Sequence, residues 1–306
     1  MLSEISQQFL DISINMRKLD KKGYHIPEKL ELFDKELIFN ELGSTGQLLD
    51  HLEILNSVDS TNTYLLKKAA DLKRYAVFAE QQTNGRGQHN RHWISEFGKG
   101  IALSILSYFP HDTNHRLSGL SLAMGLTVAQ TLEEYGLNEI QLKWPNDVVH
   151  REKKLAGILI ETKISKPKLS TIVVGIGLNL YRPNNGSRTI DQAITDVHTI
   201  LALPLQRNRL AGLLLKKILI ALFKFQAEGF FPFLEAWQRM DSLNNQYIDI
   251  RTSKSSVIEG VAKGVNVLGQ LCVEINGETH CFYSGEIRIR KKFDLKAPPT
   301  YNQQLQ

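Results

Sequence analysis

The sequence predicts a mixed-sheet α+β domain over about residues 51–240, followed by a small all-β module to about residue 290. Three observations predict it. Apolar strand-like runs from residue 51 onward are interrupted by two long helical patterns. After Trp237 the style changes to short alternating runs with Gly or Asn turns, the signature of a small β-barrel. The chain has 306 residues, 42% of them hydrophobic and 23% charged, which suits two domains that each bury a core.

Taken in order, residues 1–50 are mixed. Leu2 to Leu10 reads as a short helix, Ile12, Ile14 and Met16 alternate, and Lys21-Lys22-Gly23-Tyr24 reads as a turn. His51 to Leu55 suggests a strand. Asp59-Ser60-Thr61-Asn62 then supplies N-cap chemistry for a helix through Ala70. Tyr75 to Glu80 is a strand, Thr83 to Phe97 a long loop, and Ile101 to Tyr108 another strand.

Leu117, Leu120, Met124, Val128, Leu132 and Tyr135 recur at helical steps, and Gly136 supplies the stop. Gln141 to Trp144, Val148 to His150, Leu155 to Thr162 and Thr171 to Leu180 read as consecutive strands. A second long helix spans about Arg207 to Glu228, closed by Gly229. Asn276-Gly277 between two alternating runs is a strong hairpin signal, and it places Cys272 opposite Cys281. That pair falls at a non-hydrogen-bonded position, where a cross-strand disulfide is geometrically conceivable. The expectation is two reduced thiols, because cytosolic cysteines stay reduced, and two cysteines alone make an incomplete zinc site.

No apolar run reaches the roughly 18–20 residues of a membrane span; Lys216 and Lys217 interrupt the best one, Leu213 to Phe223. Glu4, Asp11 and Asp20 leave the first twenty residues unlike a secretory signal, so a soluble, cytoplasmic protein is expected. The net charge of +5 raises nucleic acid as a partner, but residues 1–30 carry five basic against four acidic side chains. Residues 143–168 carry seven against three, so the excess gathers there and not at the N-terminal end.

Three constellations carry chemistry. In Gly85-Arg86-Gly87-Gln88-His89-Asn90-Arg91-His92-Trp93, glycines admit close backbone approach and arginines add forked donors for an anion. Asn90 is the residue suited to a left-handed conformation there. A solvated basic loop would have the same composition. The second is Lys143-Trp144-Pro145-Asn146-Asp147, followed by Lys153-Lys154-Leu155-Ala156-Gly157, where a lysine with a fixed stem can neutralise charge on an acyl or phosphoryl group. Pro-Asn-Asp is equally an ordinary turn. The third is Asn179, after Gly175-Ile176-Gly177, which reads either a purine edge or nothing beyond the core. No P-loop occurs, and Leu180 stands where a dinucleotide fingerprint needs glycine.

These motifs, with Gln82-Thr83 and Gly285-Glu286-Ile287, stand in the order and spacing of biotin–protein ligases, and the chain resembles that family over roughly residues 50–290. The resemblance implies the class II aminoacyl-tRNA synthetase/biotin ligase fold with a C-terminal SH3-like β-barrel. It divides the chain into residues 1–50, a remnant of a winged helix-turn-helix with its linker, 51–240, 241–290 and a tail at 291–306. It implies that biotin and Mg-ATP give biotinyl-5′-AMP, which a lysine of a biotin carboxyl carrier protein then attacks. On that pattern Ser60, Thr61, Asn62, Gln82, Gly87 and Gln88 bind biotin together with Arg86 and Lys154. Arg86, Arg91, Trp93, Asn179 and Arg290 contact ATP or the adenylate. Lys154, Arg86 and Asp147 are the catalytic set, with Asp147 orienting the incoming amine, and no residues are assigned to a protein-bound metal.

Two departures qualify the match. Gln88 stands where many members carry arginine, which predicts looser retention of the adenylate. Only 22 residues precede Gly23, too few for a complete winged helix-turn-helix, so no sequence-specific DNA binding is expected. The alternatives are a lipoate or octanoate ligase on the related fold and a biotin-responsive repressor. The Lys-Trp-Pro-Asn-Asp pentapeptide and the β-module weigh against the first, the short N-terminus against the second. A homodimer is left open.

Overall fold

A computed structural model describes residues 17–19, 23–25, 30–69, 73–110, 117, 119–166, 169–182, 193–252, 257–284 and 287–291. The elements expected at Leu2 to Leu10 and Ile12 to Met16 lie outside these residues, as do Lys21, Lys22, Gly285 and Glu286. In chain order the elements are β1 (Arg17–Leu19), β2 (Gly23–His25), α1 (Lys35–Leu42), β3 (His51–Val58), α2 (Thr61–Lys68), β4 (Tyr75–Gln82) and β5 (Gly100–Pro110). There follow α3 (Leu120–Glu134), β6 (Ile140–Lys143), β7 (Asp147–His150), β8 (Lys153–Lys166) and β9 (Leu169–Asn179). The remainder is α4 (Val197–Leu201), α5 (Arg207–Glu228), α6 (Phe231–Arg239), β10 (Tyr247–Thr252), β11 (Val257–Val265), β12 (Leu271–Ile275), β13 (Glu278–Phe282) and β14 (Ile287–Lys291).

Seven strands form one sheet in the order β3-β4-β5-β9-β8-β7-β6. Only β3–β4 is parallel, because α2 intervenes as a crossover; the other pairs are antiparallel, so the sheet is mixed. Strand alternation sends Leu103, Ile158, Val174, Ile176 and Leu178 to one face. There they pack with the apolar stripes of α3 and α5, including Met124, Leu132, Leu214 and Ile218. The opposite face packs a smaller cluster, Leu65, Tyr75, Val77, Leu106 and Val173, beneath α2.

Helix α5 has the predicted limits, whereas α3 begins at Leu120, three residues after the expected Leu117. Gly23 and Tyr24, expected in a turn, lie on β2, paired with Leu19 and Lys18. Residues 31–48, which the sequence left without structure, pack into the core. Ile38 and Leu42 are fully buried, and Glu31 accepts from the backbone N–H groups of Arg207 and Asn208. That carboxylate caps α5, whose own N-cap residue Gln206 makes no side-chain capping bond.

The C-terminal strands form a five-stranded antiparallel sheet in the order β13-β12-β11-β10-β14. The sequence predicts a barrel here; among the described residues β13 and β14 are unpaired edges, so closure is not seen. The sheet docks through Trp144, whose indole N–H donates to the Gly269 carbonyl at 3.1 Å. No described helix is long and apolar enough to cross a membrane.

Candidate active site

The site is a trough on the sheet face that carries α2. Its floor follows from cross-strand register. Gly157, Gly177 and Ala102 stand side by side on β8, β9 and β5, and Leu159, Gly175 and Ser104 form the next rung. A methyl group at Gly177 would lie 2.3 Å from Trp93 Cε2, and one at Gly175 would lie 2.3 Å from Asn62 Oδ1. The glycines therefore make room for an indole on one rung and an amide on the next. Lys154 also leans on Gly157, with its Nζ 5.6 Å from the Trp93 ring.

Helix α2 presents its first turn to this floor. Ser60 caps it, accepting from the Thr63 N–H at 3.5 Å, so its N-cap role is realised. The Thr61 N–H and hydroxyl both donate to Gln82 Oε1, at 2.8 and 3.0 Å, joining the helix start to the end of β4. Asn62 Nδ2 donates to Glu161 Oε2 at 2.9 Å and to the Leu159 carbonyl at 3.3 Å. The fully buried Ser104 hydroxyl donates to Asn62 Oδ1 at 2.6 Å and stands 2.7 Å from Thr61 Oγ1. The Thr61, Gln82, Asn62 and Ser104 side chains are each held by another, which is the preorganisation a recognition site needs.

Arg86 enters from the loop between β4 and β5 and donates through Nη2 to Glu161, so one carboxylate bridges Arg86 and Asn62. The loop is folded upon itself: the Trp93 N–H donates to the Gly85 carbonyl at 2.8 Å, and the Gly87 N–H to the Arg91 carbonyl at 2.7 Å. A Cβ at Gly85 would lie 2.5 Å from the Trp93 carbonyl oxygen, so glycine is required there. The left-handed residue is His89, at φ 54° and ψ 40°, and not Asn90 as expected. Arg91 is exposed on this loop.

At the other end of the trough, Lys154 Nζ lies 2.6 Å from Asp147 Oδ1, both largely shielded. Strands β7 and β8 make this pair, with a register shift between Val148 and Val149. Asn146 locks them by donating to the Ile158 carbonyl and accepting from the Ile158 N–H. The Thr195 segment binds the Lys154 backbone on one side and accepts from Asn179 Nδ2 at 3.1 Å on the other. Asn179 and Trp93 share a shallow cavity with Tyr181, Lys99 and Gly100.

Ser60, Thr61, Asn62, Gln82, Arg86, Trp93, Lys154, Asp147 and Asn179 thus meet around one trough. Arg290 lies on β14, in register opposite Asp249 of β10 in the C-terminal sheet. Ser104 and Glu161 were missed by the sequence reading; the signal was the register that puts both on the glycine face. Among the described residues no three His, Cys, Asp or Glu side chains gather to hold a metal ion.

The fold and the trough define a ligase of the carboxylate-activating kind. The Biotin/lipoate A/B protein ligase family model matches residues 54–179. The bifunctional ligase/repressor BirA of Escherichia coli is 30% identical over 285 residues, covering 93% of this chain and 86% of that protein. The biotin–[acetyl-CoA-carboxylase] ligase of Mycobacterium tuberculosis is 30% identical over 261 residues, or 83% and 94%. The solved biotin protein ligase of Aquifex aeolicus in complex with biotin and ATP superposes with a TM-score of 0.68 at 29% identity, over 79% of this chain and 100% of that one. The chain belongs to the biotin–protein ligase family.

Proposed function

We infer that this chain is an ATP-dependent biotin–protein ligase that acts in two steps. A biotin carboxylate oxygen attacks the α-phosphorus of ATP; the bond to the β-phosphate breaks, giving biotinyl-5′-AMP and pyrophosphate. An acceptor lysine amine then attacks the acyl carbon, the C–O bond to AMP breaks, and the amine proton leaves to solvent. No protein nucleophile is needed, because AMP is already a good leaving group. Charge stabilisation and positioning carry the catalysis.

The observation that carries this reading is the trough itself. The first turn of α2 with Gln82, the Trp93 indole seated against Gly177, and the Lys154–Asp147 pair beside Gly157 all gather on the one glycine-bearing face of the sheet. Thr61, Asn62 and Gln82, with Ser60 fixing the helix start, suit the polar ring of biotin, and Gly87 and Gln88 would line its approach. Arg86 and Lys154 would offset charge on the carboxylate and α-phosphate oxygens, with Arg91 at the rim. Trp93 would cover the adenylate and Asn179 read adenine, with Arg290 reaching from the C-terminal sheet. Asp147, already paired with Lys154, would orient the incoming lysine amine. Magnesium belongs to this reading only as the counterion of ATP, part of the substrate.

We assign residues 51–240 to the catalytic domain, to which 31–48 are bound, and 241–290 to an SH3-like domain, supported by the antiparallel order of β10–β14. The acceptor is a biotin carboxyl carrier domain of acetyl-CoA carboxylase or a related carboxylase. Sequence-specific DNA binding is left out, since residues 1–30 carry almost no net charge for a phosphate backbone. The test is transfer: with biotin and Mg-ATP the chain should label one lysine of a purified carrier domain. Labelling that needs no ATP, or none at all with an intact carrier, would refute the assignment.

A further inference from the structure

Outside the trough, the most distinctive chemistry is on the hairpin formed by β12 and β13. Cys272 and Cys281 are register partners, and their Sγ atoms lie 3.1 Å apart with both thiols free. Counting outward from the Asn276-Gly277 turn, the bonded pairs Ile275–Glu278 and Val273–His280 alternate with open ones, and Cys272–Cys281 falls on an open rung. At such rungs the Cα atoms are about 4.5 Å apart, within the range a disulfide spans.

The two sulfurs differ in access. Cys281 is exposed on the sheet's edge strand, while Cys272 is half-buried beneath it. Burial and the adjoining Cys281 push the Cys272 thiol up to about 12, so it is a poor thiolate on its own. It is nevertheless held against its partner, where proximity replaces intrinsic reactivity.

We propose that Cys272 and Cys281 form a reversible thiol–disulfide modification site for low-molecular-weight disulfides, with Cys281 as the entry thiol and Cys272 as the resolving thiol. In the first step the Cys281 sulfur attacks a small disulfide, forming a mixed disulfide and releasing one small thiol. The Cys272 sulfur then attacks the Cys281 sulfur, loses its proton to solvent, and expels the second small thiol. The protein dithiol is oxidised by two electrons and the small disulfide is reduced to two thiols. The product staples edge strand β13 to β12, a few residues from the Gly269 contact that docks this sheet on Trp144.

The site is independent of the ligase reading, and its test uses no ligase assay. The full-length chain is equilibrated with oxidised glutathione, and alkylation of both thiols is followed by intact mass, beside Cys272→Ser and Cys281→Ser. The natural chain should lose both reactive thiols, carry no glutathione, stay monomeric on a non-reducing gel relative to its reduced form, and recover both thiols with dithiothreitol. Cys272→Ser should trap glutathione on residue 281, and Cys281→Ser should react at least tenfold more slowly, as expected for a shielded thiol. Stable glutathione adducts on the natural chain, intermolecular disulfides, or two thiols that persist unreacted would each overturn the proposal.

Discussion

Removing the Glu80 carboxylate would leave the Arg207 guanidinium buried without its directly paired counter-ion. Both side chains are 2% exposed, with Arg207 Nη1 2.5 Å from Glu80 Oε2. Burial pulls the arginine pKa below its ordinary value, while Glu80 and Glu31 pull it back up. Arg207 also donates to the Gly100 and Glu31 carbonyls and stacks on Phe33, and Glu80 accepts from the Phe33 N–H. One pair therefore joins β4, the start of β5, α5 and the N-terminal segment. Breaking such a pair from one side costs about 3–5 kcal/mol, whereas replacing both members by apolar groups costs far less. Glu80→Ala should therefore lose roughly 3–5 kcal/mol and melt on the order of 10 °C lower. Urea unfolding of Glu80→Ala, Arg207→Met and the double variant gives the coupling directly. A single variant within about 1 kcal/mol of the natural chain, or costs that simply add, would refute the account of this pair.

Three further outcomes follow from the geometry. Gly177→Ala places a methyl group where the Trp93 indole lies, so biotin-dependent nucleotide turnover should fall about tenfold or more with the fold intact by circular dichroism. Unchanged turnover would show that the indole's position is not needed. Gln88→Arg adds a charged donor worth about 1.5–3 kcal/mol, so release of biotinyl-AMP should slow by about tenfold or more; equal or faster release would contradict this. For Glu53, burial raises the carboxyl pKa, but hydrogen bonds from Lys68 and Tyr64 outweigh it and the net shift is downward. Its contribution is thus full above the unfolded value and is lost as pH falls through the lowered folded one. Glu53→Gln should flatten the loss of stability as pH falls below the ordinary carboxylate range; an unchanged acid slope would exclude that role.

Much of this was legible because the signals were local. The cap at Ser60, the α5 stripe ended by Gly229, and the Asn276-Gly277 hairpin are each set by a few neighbouring residues. Trp93, Lys154 and Asn179 came through motif spacing, and all three border the trough. What was not legible depends on register and distance along the chain. Glu161 and Ser104 acquire meaning only when β8, β9 and β5 align, and the Glu31 cap on α5 spans 176 residues. Helix α1 was missed because its eight residues are too few for an apolar pattern to repeat, and packing of Ile38 and Leu42 against the core stabilises it. The left-handed position went to His89 and not Asn90, a choice made by the closure between Gly87 and Arg91.

The central claim is activation of biotin by ATP in the trough, with Lys154 beside the reacting oxygens. Isotope exchange between pyrophosphate and ATP, run with biotin or lipoate on the natural chain and on Lys154→Ala, tests it most directly. Exchange should require biotin, be absent with lipoate, and fall at least about 100-fold without the lysine. Exchange driven by lipoate, or undiminished in Lys154→Ala, would contradict it.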